Sequence, residues 1–314
     1  MNSFAIRTMQ LSRDFGPVRA VDSINLEVPT GSVFGFLGPN GAGKTTTIRL
    51  LLGLLEPSAG QGQVLNYDLG SQADLIRQHC GALLEYNGLY ERMTAEDNLE
   101  FYGRVWQMSS AERRMRIQEM LKHLGLWDRR KELVRDWSRG MKQKLAVARA
   151  LFHHPALIFL DEPTAGLDPL AASALREDLD TLAKQEGVTI FLTTHNLAEA
   201  EKLCDQVGVI RQGKLLAVGT VDSLRSSNGS HKVVITGSGF GESVLAVLRS
   251  QPEVNSVSCT DGRLIIDLNQ DRSTASFVSL LVNSGAQVEE VVKNKASLED
   301  VFLTLMEEDR EVEK

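Results

Sequence analysis

Short apolar runs alternate with longer amphipathic stretches along the first two hundred residues. The runs at Val33–Leu37, 156–160 and Thr189–Thr194 contain no charged side chains and are followed by turn-forming or polar residues. Runs of five or six such residues are typical of strands that are buried on both faces of a parallel sheet. Amphipathic stretches, with apolar positions three or four residues apart, predict helices at 46–55, 94–105, 109–124 and 141–152.

The pattern changes after residue 225. Residues 226–230 are all small or polar, a composition typical of a linker. Beyond them the pattern predicts strand, helix, strand, strand, helix and strand at 232–236, 243–249, 254–260, 263–268, 275–283 and 287–292. That order predicts a small α+β, ferredoxin-like domain over residues 231–307, followed by an acidic tail at 308–314.

A glycine-rich loop joins the first apolar run to the helix that follows it. Its sequence, GPNGAGKT at residues 38–45, has a glycine, four residues, Gly-Lys and a hydroxyl residue. Such loops direct backbone N–H groups at nucleotide phosphates, and the lysine reaches the β- and γ-phosphates while the hydroxyl holds Mg²⁺. A glycine turn without a ligand is disfavoured by the order strand, loop, helix. The predicted contacts are Gly38, Pro39, Asn40, Gly41, Ala42, Gly43, Lys44, Thr45 and Thr46.

Two carboxylates, Asp161 and Glu162, stand directly after the apolar run at 156–160. We expect Asp161 to complete the Mg²⁺ shell beside the hydroxyl of Thr45. Glu162 would act as a general base that polarises a water for attack on the γ-phosphate. This arrangement points to hydrolysis rather than transfer to a hydroxyl substrate. The alternative, a solvated loop, is disfavoured by the apolar run and by the glycine loop upstream.

Residues 137–143, with the sequence WSRGMKQ, resemble the signature motif of ATP-binding cassette (ABC) ATPases. The resemblance covers about residues 4–222. It implies that Ser138 and Gly140 of one subunit close on the γ-phosphate held by another, with two ATP molecules sandwiched in a head-to-tail dimer. That dimer would contain either two copies of the chain or the chain and a homologue. Arg139 departs from the family pattern, which usually has glycine there.

Three further positions take their roles from the same resemblance. Asp168, in a segment similar to the D-loop, would couple the two sites across the dimer. His195, which follows the third apolar run, would contact the γ-phosphate and help to place the attacking water, and Phe15 would stack on adenine. A lone histidine or phenylalanine is otherwise more often structural. The neighbours His153 and His154 point apart on a helix and are not expected to bind a metal.

Glu85 stands where most ABC ATPases have a glutamine that joins the Mg²⁺ and water shell. A carboxylate keeps an oxygen for the metal, but it loses the amide donor and adds a charge. Members similar to drug and lipid exporters often show this change. The loop that follows leads into a helical subdomain at about 88–150. Its Tyr86, Leu89 and Tyr90 are either contacts for a permease helix or ordinary packing residues.

Charge and cysteine content narrow the possible partners. A net charge of −7 argues against a general nucleic-acid-binding protein. Residues 91–150 nevertheless carry fourteen Lys/Arg and nine Asp/Glu. This basic module has either a solvated surface or a face directed at anionic lipid or an acidic partner. Cys80, Cys204 and Cys259 lack metal-type spacing and are expected to be reduced, mostly buried thiols.

No run of about eighteen apolar residues and no N-terminal signal core are found. We therefore expect a cytoplasmic protein, peripheral on the inner face of the cell membrane. The predicted fold is α/β: a P-loop ABC ATPase core over residues 1–225, with its helical subdomain, plus the ferredoxin-like domain. The predicted function is ATP hydrolysis that energises a separate permease, in the direction of export. The alternatives are an ABC ATPase acting on ribosomes or DNA, and a P-loop kinase or GTPase.

Overall fold

The structure, a computed structural model, describes residues 4–228, 231–260, 262–269, 273–294 and 297–312. The chain divides into two compact units, Met1–Gly219 and Thr220–Lys314. The strands of the first unit are β1 (Phe4–Phe15), β2 (Val18–Pro29), β3 (Val33–Leu37), β4 (Ala59–Val64), β5 (Tyr67–Asp68), β6 (Cys80–Leu83), β7 (Leu157–Asp161), β8 (Thr189–Thr194), β9 (Gln206–Arg211) and β10 (Lys214–Thr220). Its helices are α1 (Lys44–Leu51), α2 (Ala73–His79), α3 (Ala95–Val105), α4 (Ser110–His123), α5 (Arg139–Leu151), α6 (Pro169–Glu186) and α7 (Leu197–Leu203).

A six-stranded sheet forms the centre of the first unit, with the strand order β10-β9-β3-β8-β7-β6. β3 pairs in parallel with β8 and β9, and β7 pairs in parallel with β6 and β8. Every residue of β3 and β8 is buried, and the rings of Phe34 and Phe191 stack at 5.4 Å. The three predicted strands are therefore confirmed. Because these strands are parallel, their carboxyl ends lie at one edge of the sheet, where α/β proteins bind ligands.

A second, antiparallel sheet has the order β2-β1-β4-β5. Its first two strands form a hairpin in which Phe15 pairs with Val18 next to the turn. Ile6, Leu11 and Val28 alternate with exposed positions along the hairpin, and they belong to the same buried cluster as the phenylalanines of β3. One hydrophobic core thus holds both sheets and fixes the hairpin beside the central strands.

Three helices that contact one another, α3, α4 and α5, lie in the region predicted to be a helical subdomain. Each begins after a hydroxyl residue: Thr94, Ser109 and Ser138 each accept a hydrogen bond from the backbone N–H three residues further on. These caps satisfy N–H groups that have no partner in the first turn. The capping box predicted from Ser109 and Glu112 is confirmed. Because Ser138 is the N-cap, α5 begins two residues earlier than predicted.

The second unit contains α8 (Val221–Asn228), β11 (His231–Ser238), α9 (Glu242–Arg249), β12 (Val254–Thr260), β13 (Arg263–Leu268), α10 (Ala275–Asn283), β14 (Gln287–Asn294) and α11 (Leu298–Val312). Its sheet is antiparallel, in the order β12-β13-β11-β14. Val233 and Ile266 of the sheet share a buried cluster with Leu248 of α9 and Leu281 of α10. The predicted order of strands and helices, and the layer of helices on an antiparallel sheet, are confirmed.

The ends of the second unit differ from the sequence prediction. The boundary between the two units falls between Gly219 and Thr220. Residues 226–228 of the predicted linker at 226–230 belong to α8, and residues 229 and 230 lie outside the described part. α11 continues to Val312, where the sequence predicts an acidic tail from residue 308. The helix forms because Leu298, Val301 and Leu305 make a buried apolar face at helical spacing. Residues 313 and 314 lie outside the described part.

Cys80 and Cys204 are buried free thiols, whereas Cys259 is exposed. Burial raises the pKa of the Cys80 thiol to about 12. Among the helices described by the structure, none combines the length and the apolarity needed to cross a bilayer.

Candidate active site

The glycine loop between β3 and α1 requires glycine at two positions for different reasons. Gly43, the N-cap of α1, has a φ of 107°, and a Cβ there would lie 2.4 Å from the carbonyl oxygen of Ala20. At Gly38 a Cβ would lie 2.4 Å from the carbonyl oxygen of Ile210. No side chain caps α1. The first-turn N–H groups of α1 therefore remain available to an anion.

Lys44 lies over this loop with its side chain buried. Its Nζ donates hydrogen bonds to the carbonyl oxygens of Gly38 at 2.8 Å and Pro39 at 3.1 Å. The same Nζ is 3.7 Å from Oε1 of Glu162. An ammonium group has three donors, so the two carbonyl bonds fix its position and leave one proton for a ligand.

Thr45 and Asp161 meet although they are 116 residues apart in sequence. Thr45 Oγ1 donates to Oδ2 of Asp161 at 2.7 Å, and Oδ1 of Asp161 accepts a hydrogen bond from the Thr193 hydroxyl. Oxygen ligands of this kind are the ones that Mg²⁺ prefers. Within the described residues no three His, Cys, Asp or Glu side chains cluster as a metal site would require. A Mg²⁺ ion here would therefore need ligands from phosphate and water in addition to protein oxygens.

Glu162 follows Asp161 with its backbone in the left-handed region, at a φ of 50°. Its N–H donates to the carbonyl oxygen and the hydroxyl of Thr193, both at 3.1 Å. The carboxylate stands between two nitrogen groups, since Oε2 is 3.1 Å from Nδ1 of His195 and Oε1 faces Lys44. The predicted base is thus held at the sheet edge beside His195, the histidine predicted to contact the γ-phosphate.

Two cavities lie around these residues. The larger, of about 770 Å³, is lined by the glycine loop and by both carboxylates at the end of β7. The smaller, of about 370 Å³, is lined by Glu162, His195 and the loop that follows β7, so Glu162 borders both. The predicted residues that line the larger cavity are Asn40, Gly41, Gly43, Lys44, Thr45, Thr46, Glu85, Asp161 and Glu162.

Gly38, Pro39 and Ala42 of the glycine loop line neither cavity, and four predicted residues from other segments also line neither. Ser138 is the N-cap of α5, where its Oγ accepts from the N–H of Met141 at 3.3 Å, and Gly140 lies in the first turn. Asp168 is the N-cap of α6. Phe15 lies at the end of β1, where the residue is 44% exposed and the guanidinium of Arg13 stands 4.8 Å from the ring centre.

Glu85 lines the larger cavity and lies in a loop that is held from α5. Arg149 donates to the carbonyl oxygens of Ala82 at 2.8 Å and Asn87 at 3.1 Å, one on each side of Glu85 in sequence. Burial lowers the pKa of the Arg149 guanidinium from its ordinary value. The carboxylate of Glu85 is 3.4 Å from Arg49 of α1. The loop is thus fixed at both ends, and the carboxylate of Glu85 between them is exposed.

Sequence reasoning missed two residues of this site. Thr193 bonds to both Asp161 and Glu162, and the only signal for it is a pair of polar residues, Thr193 and Thr194, at the end of an apolar run. Arg149 lies in the last turn of an amphipathic helix and has no local signal. His153, which was not expected to bind a metal, stacks on Trp106 at 3.9 Å, and burial lowers its pKa to about 4.

Similarity to known proteins covers both units of the chain. Residues 21–165 match the family described as ABC transporter, and residues 219–306 match the family described as ATP-binding protein DrrA1-3-like, C-terminal domain. The bacitracin transport ATP-binding protein BcrA of Bacillus licheniformis is 34% identical over 304 residues, which are 97% of this chain and 98% of BcrA. The chain belongs to the ABC transporter ATP-binding proteins. It is an ATPase subunit of this family.

Two more relatives of this ABC family match almost end to end. The linearmycin resistance ATP-binding protein LnrL of Bacillus subtilis is 33% identical and covers 96% of this chain and 97% of its own length. The daunorubicin resistance ATP-binding protein DrrA3 of Streptomyces coeruleorubidus is 35% identical, with 99% of both chains covered. The similarity therefore includes the second unit as well as the ABC core.

Solved structures resemble the ABC core. The structure of cbiO1 from Clostridium perfringens, part of an ABC transporter complex, matches 73% of this chain and 93% of its own at a TM-score of 0.68 and 26% identity. A structure of the ATP-binding subunit of an ABC transporter matches 70% of this chain and 92% of its own, at a TM-score of 0.64 and 33% identity. The predicted P-loop ABC core is confirmed.

Proposed function

We propose that this chain binds ATP together with Mg²⁺, hydrolyses the γ-phosphate bond, and energises a separate permease that exports an antibiotic or a similar compound. One observation carries the catalytic part: Lys44, the Thr45–Asp161 pair and Glu162 converge at the carboxyl edge of the parallel sheet. The export part is supported by relatives named for bacitracin transport, linearmycin resistance and daunorubicin resistance, which match both units.

The phosphates of ATP occupy the glycine loop. The unsatisfied N–H groups of α1 and the ammonium of Lys44 supply positive charge there. Thr45, Asp161 and Glu85 are the oxygen ligands available to Mg²⁺, which neutralises phosphate charge when it is bound. This role of Glu85 requires its carboxylate to leave Arg49, an exchange that the exposed position of the pair allows.

Glu162 accepts the proton of the attacking water. Its carboxylate is oriented by His195 on one side and by Lys44 on the other, while two hydrogen bonds from its N–H to Thr193 fix the backbone. A base that is within hydrogen-bond reach of its water contributes typically ~10²–10⁴-fold to the rate. The side chain of His195 is more exposed than that of Glu162. It can therefore contact a phosphate once ATP is bound.

A second subunit completes each site. Ser138 and Gly140 do not line the cavity of their own glycine loop, which is what a head-to-tail arrangement requires. The start of α5 then presents its N-terminal dipole to the phosphate bound by the other subunit. The second subunit is another copy of the chain or a homologue, and Phe15 and Asp168 have their roles, adenine stacking and coupling between sites, in this assembly.

The site of action is the cytoplasmic face of the membrane, where the subunit is peripheral and docks on its permease. Co-purification from membranes tests this directly. We expect a tagged chain carrying Glu162→Gln, solubilised in mild detergent with ATP and Mg²⁺, to recover an integral membrane protein, and addition of that protein to stimulate ATP hydrolysis by the unmutated chain. Recovery of ribosomes or DNA instead of a membrane protein would overturn the proposal.

A further inference from the structure

Arg139, the residue that replaces the usual signature glycine, packs against the loop that follows Glu162. Its guanidinium lies on Gly166, where an added Cβ would be 2.2 Å from Nη1, 2.3 Å from Cζ and 2.6 Å from Nη2. Three similar distances mean that the plane of the guanidinium faces the α-carbon of Gly166. Gly166 also has a φ of 70°. Both its conformation and this contact therefore require glycine.

A second side chain of α5 holds the same loop. Gln143 donates from Nε2 to the carbonyl oxygen of Pro163 at 2.6 Å. Residues four apart lie on one face of a helix, so Arg139 and Gln143 act from the same side and contact the loop at positions three residues apart. The loop is thus fixed to α5 at two points.

The loop itself is stiff between these contacts. Ala165 donates its N–H to the carbonyl oxygen of Glu162, and Leu167 donates to that of Thr164, both at 3.1 Å. These two successive turns form a hydrogen-bonded connection between Gly166 and Glu162. Gly166 and Glu162 also line the same small cavity as His195.

The charge of Arg139 is not used elsewhere. Three cations line the larger cavity, and two of them have carboxylate neighbours: Lys44 faces Glu162, and Lys142 is 2.8 Å from Glu91. The Arg139 guanidinium has no hydrogen bond or ion pair with any residue in the described part of the chain. Packing on Gly166 is therefore its specific contact.

We propose that Arg139 is a positioning residue for ATP hydrolysis, which acts through its contact with Gly166 to set the loop, and thereby the carboxylate, of Glu162. The inference rests on the proposed role of Glu162 as the base. It assigns a function to the departure of this chain from the family signature: α5 orients the catalytic carboxylate of its own subunit in addition to facing the other subunit's nucleotide.

A compensating pair of substitutions tests the contact. Gly166→Ala introduces a methyl group into the guanidinium, and we expect kcat for ATP hydrolysis to fall at least tenfold with the KM for ATP changed less than twofold. Arg139→Ala alone removes the restraint and should lower kcat about threefold. In the double variant the methyl group has space, so kcat should return to the level of Arg139→Ala. A double variant no more active than Gly166→Ala would overturn the proposal.

Gly125→Ala is the matched control, because Gly125 has a φ of 69° and open space where a Cβ would stand. It measures the cost of alanine in the left-handed region alone and should leave kcat unchanged. Thermal unfolding without nucleotide gives a second readout, in which Arg139→Ala should restore part of the Tm lost in Gly166→Ala. Rescue of Tm without rescue of kcat would reduce the contact to a structural one and overturn the positioning role. Absence of ATPase activity in the unmutated dimer would instead overturn the proposed function.

Discussion

Glu162 combines an uncommon backbone conformation with a dense set of polar neighbours. A non-glycine residue in the left-handed region costs of order 1 to 3 kcal/mol, and here two bonds from the Glu162 N–H to Thr193 offset that cost. The conformation turns the carboxylate between Lys44 and His195. A residue held in this way is suited to chemistry that needs one fixed orientation.

Replacement of the base is the most direct test at this scale. Glu162→Gln keeps the size of the side chain but removes its proton-accepting capacity, so we expect kcat for ATP hydrolysis to fall about 10²–10⁴-fold. ATP binding should persist, and the variant should accumulate as an ATP-bound dimer. Sedimentation velocity with and without ATP measures this state. Hydrolysis at the parental rate would show that Glu162 is not the base.

Thr193 should affect Mg²⁺ binding, because its hydroxyl holds Asp161, a proposed Mg²⁺ ligand. Thr193→Val removes the hydroxyl that bonds to Asp161 and to the N–H of Glu162, and unpaired buried groups cost about 1 to 3 kcal/mol each. We expect a lower Tm and a several-fold increase in the Mg²⁺ concentration that gives half-maximal ATPase activity.

The matched control for this substitution lies on the same strand. Thr189 is also fully buried, but its hydroxyl accepts from the N–H of Gly31 at 2.9 Å, at the opposite end of β8. Thr189→Val should lower Tm to a similar degree and leave the Mg²⁺ dependence unchanged. Equal Mg²⁺ effects of the two variants would contradict a specific role for Thr193.

At the scale of elements, α5 is the helix that connects the parts of the site. Ser138 and Gly140 lie at its N-terminal end. Gln143 donates a hydrogen bond to the loop after β7, and Arg149 in the last turn donates hydrogen bonds to the Glu85 loop. Movement of this helix would therefore displace both the Glu85 loop and the loop that follows Glu162. A permease that displaced the helical subdomain could act on hydrolysis through this element.

Loss of the Arg149 contacts should uncouple α5 from the Glu85 loop. Hydrogen bonds from a charged donor contribute about 1.5 to 3 kcal/mol, so Arg149→Gln should destabilise the fold by about 2 kcal/mol. It should also raise the Mg²⁺ requirement of ATP hydrolysis because Glu85 is no longer held.

Arg116→Gln separates these two effects. Arg116 is buried on α4 and donates to the carbonyl oxygen of Leu151 at 3.1 Å, outside the Glu85 loop. We expect it to lower Tm without a change in the Mg²⁺ titration. A Mg²⁺ shift as large as that of Arg149→Gln would mean that general destabilisation, and not the loop contact, sets the Mg²⁺ requirement.

At the scale of the whole molecule, the described unit 4–219 carries every candidate site residue, whereas the second unit has its own antiparallel sheet and its own core. Each of the two cores is large enough to define a compact unit, and the relatives named for drug resistance share both. Within one chain, Ser138 and Gly140 of the signature motif do not line the cavity at the glycine loop. The working molecule is therefore expected to contain at least two chains.

Complementation tests that assembly. A chain with Lys44→Ala loses its own phosphate site, and a chain with Ser138→Glu places a negative charge where the other subunit's phosphate should bind. Each variant alone should be inactive, but an equimolar mixture should recover measurable ATPase activity, because mixed dimers contain one site in which both residues are intact. A mixture as inactive as its components would contradict the head-to-tail arrangement.

Much of the site could be predicted from sequence because its parts are local. Gly38–Thr45 lie together along the chain, Asp161 and Glu162 are neighbours, and Ser138 is both a signature residue and a helix cap. In each case a short segment determines its own conformation through turns, caps and strand ends. The three predicted strands of the first unit were also local features, because each is a short apolar run. The order of strands and helices in the second unit likewise follows from the spacing of its apolar residues.

Other features arise only where distant segments pack. Thr193 reaches Asp161 because β7 and β8 pair in parallel with Asp161 opposite Thr193. The two residues are about thirty positions apart in the sequence, and the residues of neither strand alone specify this register. Arg149 and Gln143 act on carbonyl oxygens, which every residue carries, so their partners leave no sequence signal. The end of α11 depended on a buried apolar face that outweighs the acidic composition of its last residues.

By itself the sequence determined the family, and it predicted a phosphate and metal site, because both rest on residue types at fixed spacing. The tertiary structure decided which groups surround Glu162, how the Glu85 loop is anchored, and where the Arg139 side chain lies. The physical reason is that hydrogen bonds and close packing depend on distances across the fold. Those distances are set by strand register and helix placement, which no short segment specifies alone.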